Sequence, residues 1–304
     1  MGLQGFIDLH AHGIGRYDTR TSDPLGILKI AELHGKAGTA AILPTIYSAP
    51  IPVMRQHMEA VRTAMAMQRR KRIEDSGYPI TDRKGSSFVT HRASDILGVH
   101  LEGPFLNPQR CGALDEASFI RPALSALKKL IAGYEEIIRI ITIAPELPNA
   151  LTIIEKCAET GIIVSMGHSD ATYQQGADGK KAGARGLTHI FNAMRPFHHR
   201  EPGLAGFGLL DRDIYIEVIA DGIHLHPETL KLIFSLKGHD RIVLVSDSVK
   251  GAKKGKPLYD SKGVLTGSGI TIVGSVSVLR QIGITPDVIT ETGIRNPERL
   301  LTKK

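Results

Sequence analysis

Eight short apolar runs recur along the chain, and each pair of neighbouring runs is separated by enough residues for a helix. They are residues 5–10, 39–44, 95–101, 138–144, 162–167, 185–189, 214–220 and 241–246. The last run, within "RIVLVSD", is rich in β-branched residues, which is typical of a strand buried on both faces. Alternation of strands and helices predicts βαβ units and a parallel sheet. Eight such units predict an α/β fold, a (β/α)8 TIM-like barrel.

The segments between the runs have the length and the end signals of helices. One is "DPLGILKIAELHGKAG" (23–38), and another is "LPNALTIIEKCAETG" (147–161), which stops at Gly161. The polar region 72–94 is expected to be a surface loop. No linker divides the chain, so residues 1–304 are expected to form a single domain. A doubly wound open sheet is the alternative, but no glycine-rich phosphate loop follows the first run.

Composition and charge exclude several classes of protein. The net charge is +7, yet aromatic residues make up only 5% and do not interleave with the basic clusters at 69–72 and 250–256, so nucleic acid is not the expected partner. No stretch is apolar enough for a membrane span, and the N-terminus lacks the pattern of a signal peptide. Cys111 and Cys157 are too few for a disulfide framework, and a cytoplasmic location is expected.

Histidines and carboxylates follow most of the apolar runs. His10 and His12 lie two residues apart in "GFIDLHAHG" and would share one face of a strand. Each polar residue alone has a structural explanation; Asp247, for example, could cap a helix. In a TIM barrel, however, the carboxyl ends of the strands meet at one mouth. The residues expected to meet there are His10, His12, Glu102, His168, His189 and Asp247.

This mixture of nitrogen and oxygen ligands predicts a divalent metal site with one or two ions. Zn²⁺ fits the ligands best, and Fe²⁺, Mn²⁺ or Co²⁺ fit nearly as well. A bound metal would activate water and polarise a carbonyl group.

The motifs that contain these residues resemble those of the N-acetylglucosamine-6-phosphate deacetylases, a family of the amidohydrolase superfamily. The matching pieces occur in the family's order and are "GFIDLHAHG", "GVHLEGPFLNP", "VSMGHSDAT", "GLTHIFNAM", "REPGLAG", "IADGIHLHP" and "VSDSV". The resemblance implies hydrolysis of the N-acetyl group of an N-acetylhexosamine 6-phosphate to acetate and the amino sugar phosphate. The substrate would most simply be N-acetylglucosamine 6-phosphate, and the enzyme a homodimer.

The resemblance also implies a role for individual residues. Glu102, His168 and His189 match metal ligands found throughout the family, and His10 and His12 match a second-metal pair that only some members keep. Asp247 matches the catalytic carboxylate. The residues that match substrate contacts are Asn192 and the backbone of Ala193 at the sugar phosphate, Arg200, which the partner subunit supplies to the phosphate, and His224 near the scissile amide.

The sequence departs from the family pattern in two places. Leu114, in "RCGALDE", occupies the position of a histidine that usually contacts the sugar, which makes the galactosamine epimer a plausible substrate. The family's flanking β-sandwich is expected to be largely absent. Two further alternatives stay open at this point. One is an amidohydrolase that acts on a different amide, and the other is a barrel that binds metal or sugar phosphate without turnover.

Overall fold

Eight parallel strands form a barrel in the computed structural model, which describes residues 5–75, 93–252, 256, 258–261 and 263–302. Each predicted run overlaps one barrel strand. The strands are β1 (Phe6–Ala11), β2 (Thr39–Tyr47), β3 (Val99–Glu102), β4 (Ile138–Ile143), β5 (Ile163–Met166), β6 (Gly186–Leu187), β7 (Tyr215–Ile219) and β8 (Ile242–Val245).

Consecutive strands pair in parallel around the barrel, from β1 to β8. Beyond the end of β8, the backbone N–H of Asp247 donates to the carbonyl of His10 (2.9 Å), and the N–H of His12 donates to the carbonyl of Ser248 (2.9 Å). These bonds bring the last strand beside the first. The prediction of a (β/α)8 barrel is therefore confirmed.

Helices follow most of the strands, as the segment lengths predict. Asp23 caps the first helix by accepting a hydrogen bond from the N–H of Leu25 (2.9 Å). The fourth ends before Gly161, which has a φ of 81°. The helices are α1 (Pro24–Lys36), α2 (Ile51–Asp75), α3 (Leu124–Ile131), α4 (Ala150–Glu159), α5 (Tyr173–Lys181), α6 (Gly203–Leu210), α7 (Pro227–Leu236), α8 (Ile272–Gln281), α9 (Pro286–Thr290) and α10 (Asn296–Thr302).

Two predicted boundaries differ from the structure. Helix α2 continues through Asp75, so the loop predicted at 72–94 begins later, and residues 76–92 lie outside the described residues. The third run divides into Asp95–Ile96 and β3 because Gly98 has a φ of 140°. A Cβ atom at Gly98 would lie only 2.4 Å from the carbonyl oxygen of Ile137. Only glycine fits this break between the two strand segments.

The barrel interior changes from apolar to polar toward the carboxyl ends of the strands. One interior cluster includes Ile7, Leu43, Ile140 and Val243. Beside it, a hydrogen-bonded series joins four buried polar side chains of neighbouring strands. Its atoms are His100 Nε2 and Thr142 Oγ1 (2.8 Å), Thr142 Oγ1 and Thr188 Oγ1 (2.9 Å), and Thr188 Oγ1 and Ser165 Oγ (2.8 Å). The polar end of the barrel is where the predicted site residues gather.

Few strands of the described residues lie outside the barrel. Besides Asp95–Ile96, they form two short antiparallel hairpins, Gly13–Ile14 with Tyr17–Asp18 and Leu258–Tyr259 with Leu265–Gly267. The second hairpin contributes residues to the wall of the cavity at the mouth. None of the helices in the described ranges is both long enough and apolar enough to cross a membrane.

Candidate metal centre and active site

Glu102, at the end of β3, lies among the histidines at the barrel mouth. Its Oε1 is 3.0 Å from His168 Nε2 and 3.1 Å from His189 Nε2. Its Oε2 is 3.2 Å from His12 Nε2. The two imidazoles that share Oε1 are themselves 3.1 Å apart at their Nε2 atoms. One carboxylate therefore contacts histidines from three different strand ends.

His10, His12 and Asp247 form the other side of the same cluster. The Nε2 atoms of His10 and His12 are 3.1 Å apart, and Asp247 Oδ1 is 3.7 Å from the first and 3.5 Å from the second. The ligand atoms of these three residues all lie within 4.8 Å of one another, as do those of His10, Glu102 and His189. All six residues predicted to meet at the mouth are therefore brought together.

Outer hydrogen bonds orient three of the four imidazoles. His12 Nδ1 is 3.1 Å from the carbonyl oxygen of Thr45, and His168 Nδ1 is 2.9 Å from that of Arg110. A carbonyl oxygen only accepts, so each Nδ1 carries the hydrogen and each Nε2 keeps its lone pair. His10 Nδ1 is 3.1 Å from Glu217 Oε2. With Nε2 lone pairs and carboxylate oxygens converging, the donor set fits a divalent metal.

Several site residues adopt a backbone conformation that is unfavourable for residues other than glycine. The φ angles are 47° at His168, 30° at His189, 49° at Ala193 and 48° at Asp247. Left-handed conformations at such residues cost of order 1–3 kcal/mol each and persist only where the surroundings enforce them. The turns after β5, β6 and β8 thus hold the candidate site residues in strained backbone conformations.

Charge complementarity within the cluster shifts the pKa of its groups. Burial raises the pKa of the Glu102 carboxyl, but its interactions with the surrounding histidines, His12 first among them, outweigh this effect and hold the pKa well below its usual range. Burial lowers the pKa of His10, but its contacts with Glu102 and Glu217 outweigh burial and raise the pKa well above its usual value. The carboxylates thus favour positive charge at this position.

A cavity of about 430 Å³ lies at the mouth and contains the predicted substrate residues of this chain. Asn192, Ala193 and His224 line it, together with Leu114, the residue that departs from the family pattern. Arg200 is exposed and does not line the cavity of its own chain. Arg200 is thus the one predicted substrate residue that the structure does not bring to the cavity of its own chain.

His224 is held in place by Asp221, three residues earlier. Asp221 Oδ2 is 2.8 Å from His224 Nδ1, and Asp221 Oδ1 accepts a hydrogen bond from the His224 N–H (2.9 Å). Burial lowers the pKa of the His224 imidazole, but the hydrogen bond that the imidazole donates to Asp221 outweighs burial and raises the pKa above its usual value. His224 therefore keeps a proton to higher pH than a free histidine and can act as a hydrogen-bond donor.

Sequence reasoning missed several residues of the site. Asp221 could have been found from its spacing to His224, and Glu217 from being a charged residue inside an apolar run. No sequence signal marked Arg20 and Tyr47, which also line the cavity. The Arg20 guanidinium lies 4.4 Å from the centroid of the Tyr47 ring, and that ring stacks on His12 at 3.8 Å.

Comparisons with curated proteins find relatives that are named as deacetylases of N-acetylhexosamine 6-phosphates. No family model matches the chain. It is 35% identical over 301 residues to N-acetylglucosamine-6-phosphate deacetylase of Lysinibacillus sphaericus, covering 92% of this chain and 70% of the relative. It is 31% identical over 312 residues to N-acetylgalactosamine-6-phosphate deacetylase of Escherichia coli O157:H7, covering 97% of this chain and 77% of the relative.

A solved structure extends the likeness to the fold. It is a mutant N-acetyl-D-glucosamine-6-phosphate deacetylase of Mycobacterium smegmatis in complex with N-acetyl-D-glucosamine-6-phosphate. The TM-score is 0.81 at 26% identity, over 98% of this chain and 77% of that one. Across eight curated relatives, the chain spans between 56% and 77% of their length.

Proposed function

The chain belongs to the N-acetylglucosamine-6-phosphate deacetylase family, and on that premise we propose that it hydrolyses the N-acetyl group of an N-acetylhexosamine 6-phosphate. The products are acetate and the amino sugar phosphate, and N-acetylglucosamine 6-phosphate is the first substrate to test. The observation that supports this function best is the convergence of four histidines and two carboxylates at the mouth of the barrel. We expect residues 1–304 to act as one domain.

We propose that this cluster holds one or two divalent ions, with Zn²⁺ the first choice for its donor atoms and Fe²⁺, Mn²⁺ or Co²⁺ as alternatives. Glu102, His168 and His189 would hold one ion, and His10, His12 and Asp247 would hold the other. When bound, the metal supplies Lewis acidity that polarises the amide carbonyl and lowers the pKa of water. The oriented Nε2 atoms support this assignment because they need no rearrangement to bind.

Asp247 and His224 then perform the proton chemistry. Asp247 lies beside His12 (3.5 Å) and lines the cavity. Its carboxylate would accept a proton from the attacking water and pass it to the departing amine, whose C–N bond breaks as the proton arrives. The imidazole of His224, held by Asp221, would donate a hydrogen bond to the amide oxygen as negative charge develops there.

The phosphate would bind on the side of the cavity formed by Asn192 and Ala193. The backbone N–H of Ala193 has no acceptor among the residues that the structure describes, and its positive φ turns the local backbone out of strand geometry. We propose that Arg200 of the partner subunit completes this site in a homodimer, because a planar guanidinium binds phosphate at two oxygens.

The free cysteines Cys111 and Cys157 suit a reducing compartment, and we propose that the reaction takes place in the cytoplasm.

The experiment that tests this function measures acetate release by the purified, metal-loaded chain. N-acetylglucosamine 6-phosphate and unphosphorylated N-acetylglucosamine are compared in parallel. Turnover of the phosphorylated sugar, with kcat/KM at least tenfold above that of the free sugar, is the expected result. Equal turnover of both sugars would contradict the phosphate site and favour an amidohydrolase with another substrate. Metal binding without any turnover would reject the enzyme function.

A second candidate substrate is N-acetylgalactosamine 6-phosphate. Leu114 lines the cavity and has no hydrogen-bonding group with which to recognise a sugar hydroxyl. The relative from Escherichia coli O157:H7, at 31% identity, is named for the galactosamine substrate. The same acetate assay with both epimers decides between them, since the preferred epimer has the higher kcat/KM.

A further inference from the structure

Glu217 is a buried carboxylate in the middle of β7 that the proposed chemistry does not use. We propose that Glu217 is a positioning residue that holds His10 ready to bind the second of two metal ions. This inference rests on the proposed function, because it presupposes a metal centre at the barrel mouth. It deepens that proposal, because it makes the affinity for the second ion depend on a residue that is not itself a ligand.

One oxygen of Glu217 contacts both sides of the cluster. Oε2 is 3.1 Å from the ring nitrogen Nδ1 of His10 and 3.4 Å from the backbone nitrogen of His189. His10 belongs to the group with His12 and Asp247, whereas His189 belongs to the group with Glu102 and His168. Glu217 thus contacts both the His10 imidazole and the backbone of the strained turn at His189.

The contact with Glu217 determines which nitrogen of His10 is available to a metal. A carboxylate offers only acceptors, so the His10 ring presents its Nδ1 hydrogen to Glu217. The Nε2 lone pair then faces His12 Nε2 at 3.1 Å and Glu102 Oε1 at 3.5 Å. Both side chains of the pair are almost completely buried, at 0% and 4% exposure, so bulk water cannot replace the carboxylate.

A different use of Glu217 is conceivable, because the donor atoms of His10, His100 and Glu217 also lie within 4.8 Å of one another. His100 cannot serve as a ligand, however. Its Nδ1 is 3.0 Å from the carbonyl oxygen of Leu9, and its Nε2 is 2.8 Å from Thr142 Oγ1. With both ring nitrogens of His100 hydrogen-bonded, this grouping lacks a third free donor. The geometry therefore favours Glu217 as the outer partner of His10 over a separate cation site.

The test compares the metal content of wild type, Glu217→Gln and Glu217→Leu. Each Zn²⁺-loaded protein is dialysed against graded chelator, and the ions per chain are counted by elemental analysis. Wild type is expected to hold two ions. Glutamine keeps an acceptor but loses the charge, so we expect Glu217→Gln to bind one of the two ions about tenfold more weakly. Leucine removes both the acceptor and the charge, so we expect Glu217→Leu to bind that ion about a hundredfold more weakly. The other ion is expected to stay in both variants.

Two further measurements separate positioning from general stability. Added Zn²⁺ is expected to restore the deacetylase activity of Glu217→Gln, which a damaged fold would not allow. Thr142→Val serves as the matched control, because the buried Thr142 hydroxyl is hydrogen-bonded to His100 and Thr188 and not to the side chain of any of the six proposed ligands in the described residues. It is expected to retain both ions at wild-type affinity.

The possible failures of the two proposals differ. Wild-type protein that binds no metal would contradict the proposed function itself. Wild-type protein that is active with a single ion, or a Glu217→Leu variant that holds two ions as tightly as wild type, would overturn the role of Glu217 alone. Equal weakening of both ions, with no rescue by added metal, would also overturn it, because Glu217 would then support the fold and not His10.

Discussion

His224 shows how one neighbouring carboxylate can set the protonation of a side chain that we propose to be catalytic. Both His224 and Asp221 are nearly buried, with 5% and 3% of their side chains exposed, and they meet at 2.8 Å. The contact raises the pKa of His224 above its usual value despite burial, which acts in the opposite direction. The imidazole therefore keeps its second proton, and can donate two hydrogen bonds, to higher pH than an isolated histidine would.

Replacement of Asp221 by asparagine should move the pH dependence of catalysis. Without the carboxylate, burial lowers the pKa of His224, so the imidazole loses its proton at lower pH. We expect the alkaline limb of the kcat/KM profile to shift to lower pH, because the group that titrates there has lost the carboxylate that favours its charged form. His226→Asn, at a nearby exposed histidine, controls for the change of residue. An unchanged alkaline limb would exclude His224 as the titrating donor.

His34, on α1, should limit the stability of the protein in acid. The side chain is completely buried, and burial lowers its pKa to about 4, so the folded state keeps the imidazole neutral. As the pH falls from 6.5 toward 4, only the unfolded state takes up this proton, and folding loses about 3 kcal/mol over that interval. Urea unfolding at pH 7 and pH 4.5 is expected to show a smaller pH effect in His34→Gln than in wild type. His199→Gln, at an exposed histidine, should show the same difference in unfolding free energy between the two pH values as wild type. An equal pH effect in both variants would contradict His34 as its origin.

At the scale of the element, strands were the most predictable part of the chain and turns the least. Apolar runs identify strands because burial on both faces demands apolar residues over four to nine positions. The shortening of β6 to two residues could not be predicted, since it depends on the tight turn at His189. The meeting of histidines and carboxylates at the strand ends was predictable from the barrel topology. The pairing of Glu217 with His10 was not, because 207 residues separate them and only the closed sheet makes them neighbours.

The break at Gly98 gives a test at this scale. A Cβ atom there would meet the carbonyl oxygen of Ile137 at 2.4 Å and the Cγ atom of Arg139 at 2.6 Å, at a φ of 140°. We expect Gly98→Ala to lower the free energy of unfolding by about 3 kcal/mol, measured by urea denaturation. Gly133→Ala is the matched control. Its φ of 79° is also unfavourable, but no atom lies within 4 Å of the added carbon. That control is expected to lose only about 1 kcal/mol, and equal losses in both would exclude the clash as the cause.

At the scale of the whole molecule, the proposed role of Arg200 would make the active site a property of two chains. Arg200 is exposed and does not line the cavity of its own chain, while Asp247 does. In the proposed homodimer, each site takes its carboxylate from one subunit and its arginine from the other. Defects in these two residues can therefore be placed on different subunits.

Mixing two impaired variants should restore activity. Arg200→Ala and Asp247→Asn are each expected to lose at least a hundredfold in kcat/KM for the phosphorylated sugar. After subunit exchange, half of the dimers are mixed, and each mixed dimer has one site with both residues intact. We expect about a quarter of wild-type activity. Absence of any recovery, with exchange verified by mass spectrometry, would place Arg200 outside the partner's site.

The left-handed turns at the barrel mouth have a consequence for how the protein moves. The strained turns follow strands whose other residues are packed in the apolar interior of the barrel. Strain at His168, His189 and Asp247 is therefore relieved most easily by local opening of the turns at the mouth. Before metal binds, amide hydrogens in these turns should exchange with solvent long before those of β4 and β5. Metal binding should then slow exchange in these turns selectively and leave exchange in β4 and β5 unchanged. The ion would therefore stabilise the mouth of the barrel and not the barrel as a whole.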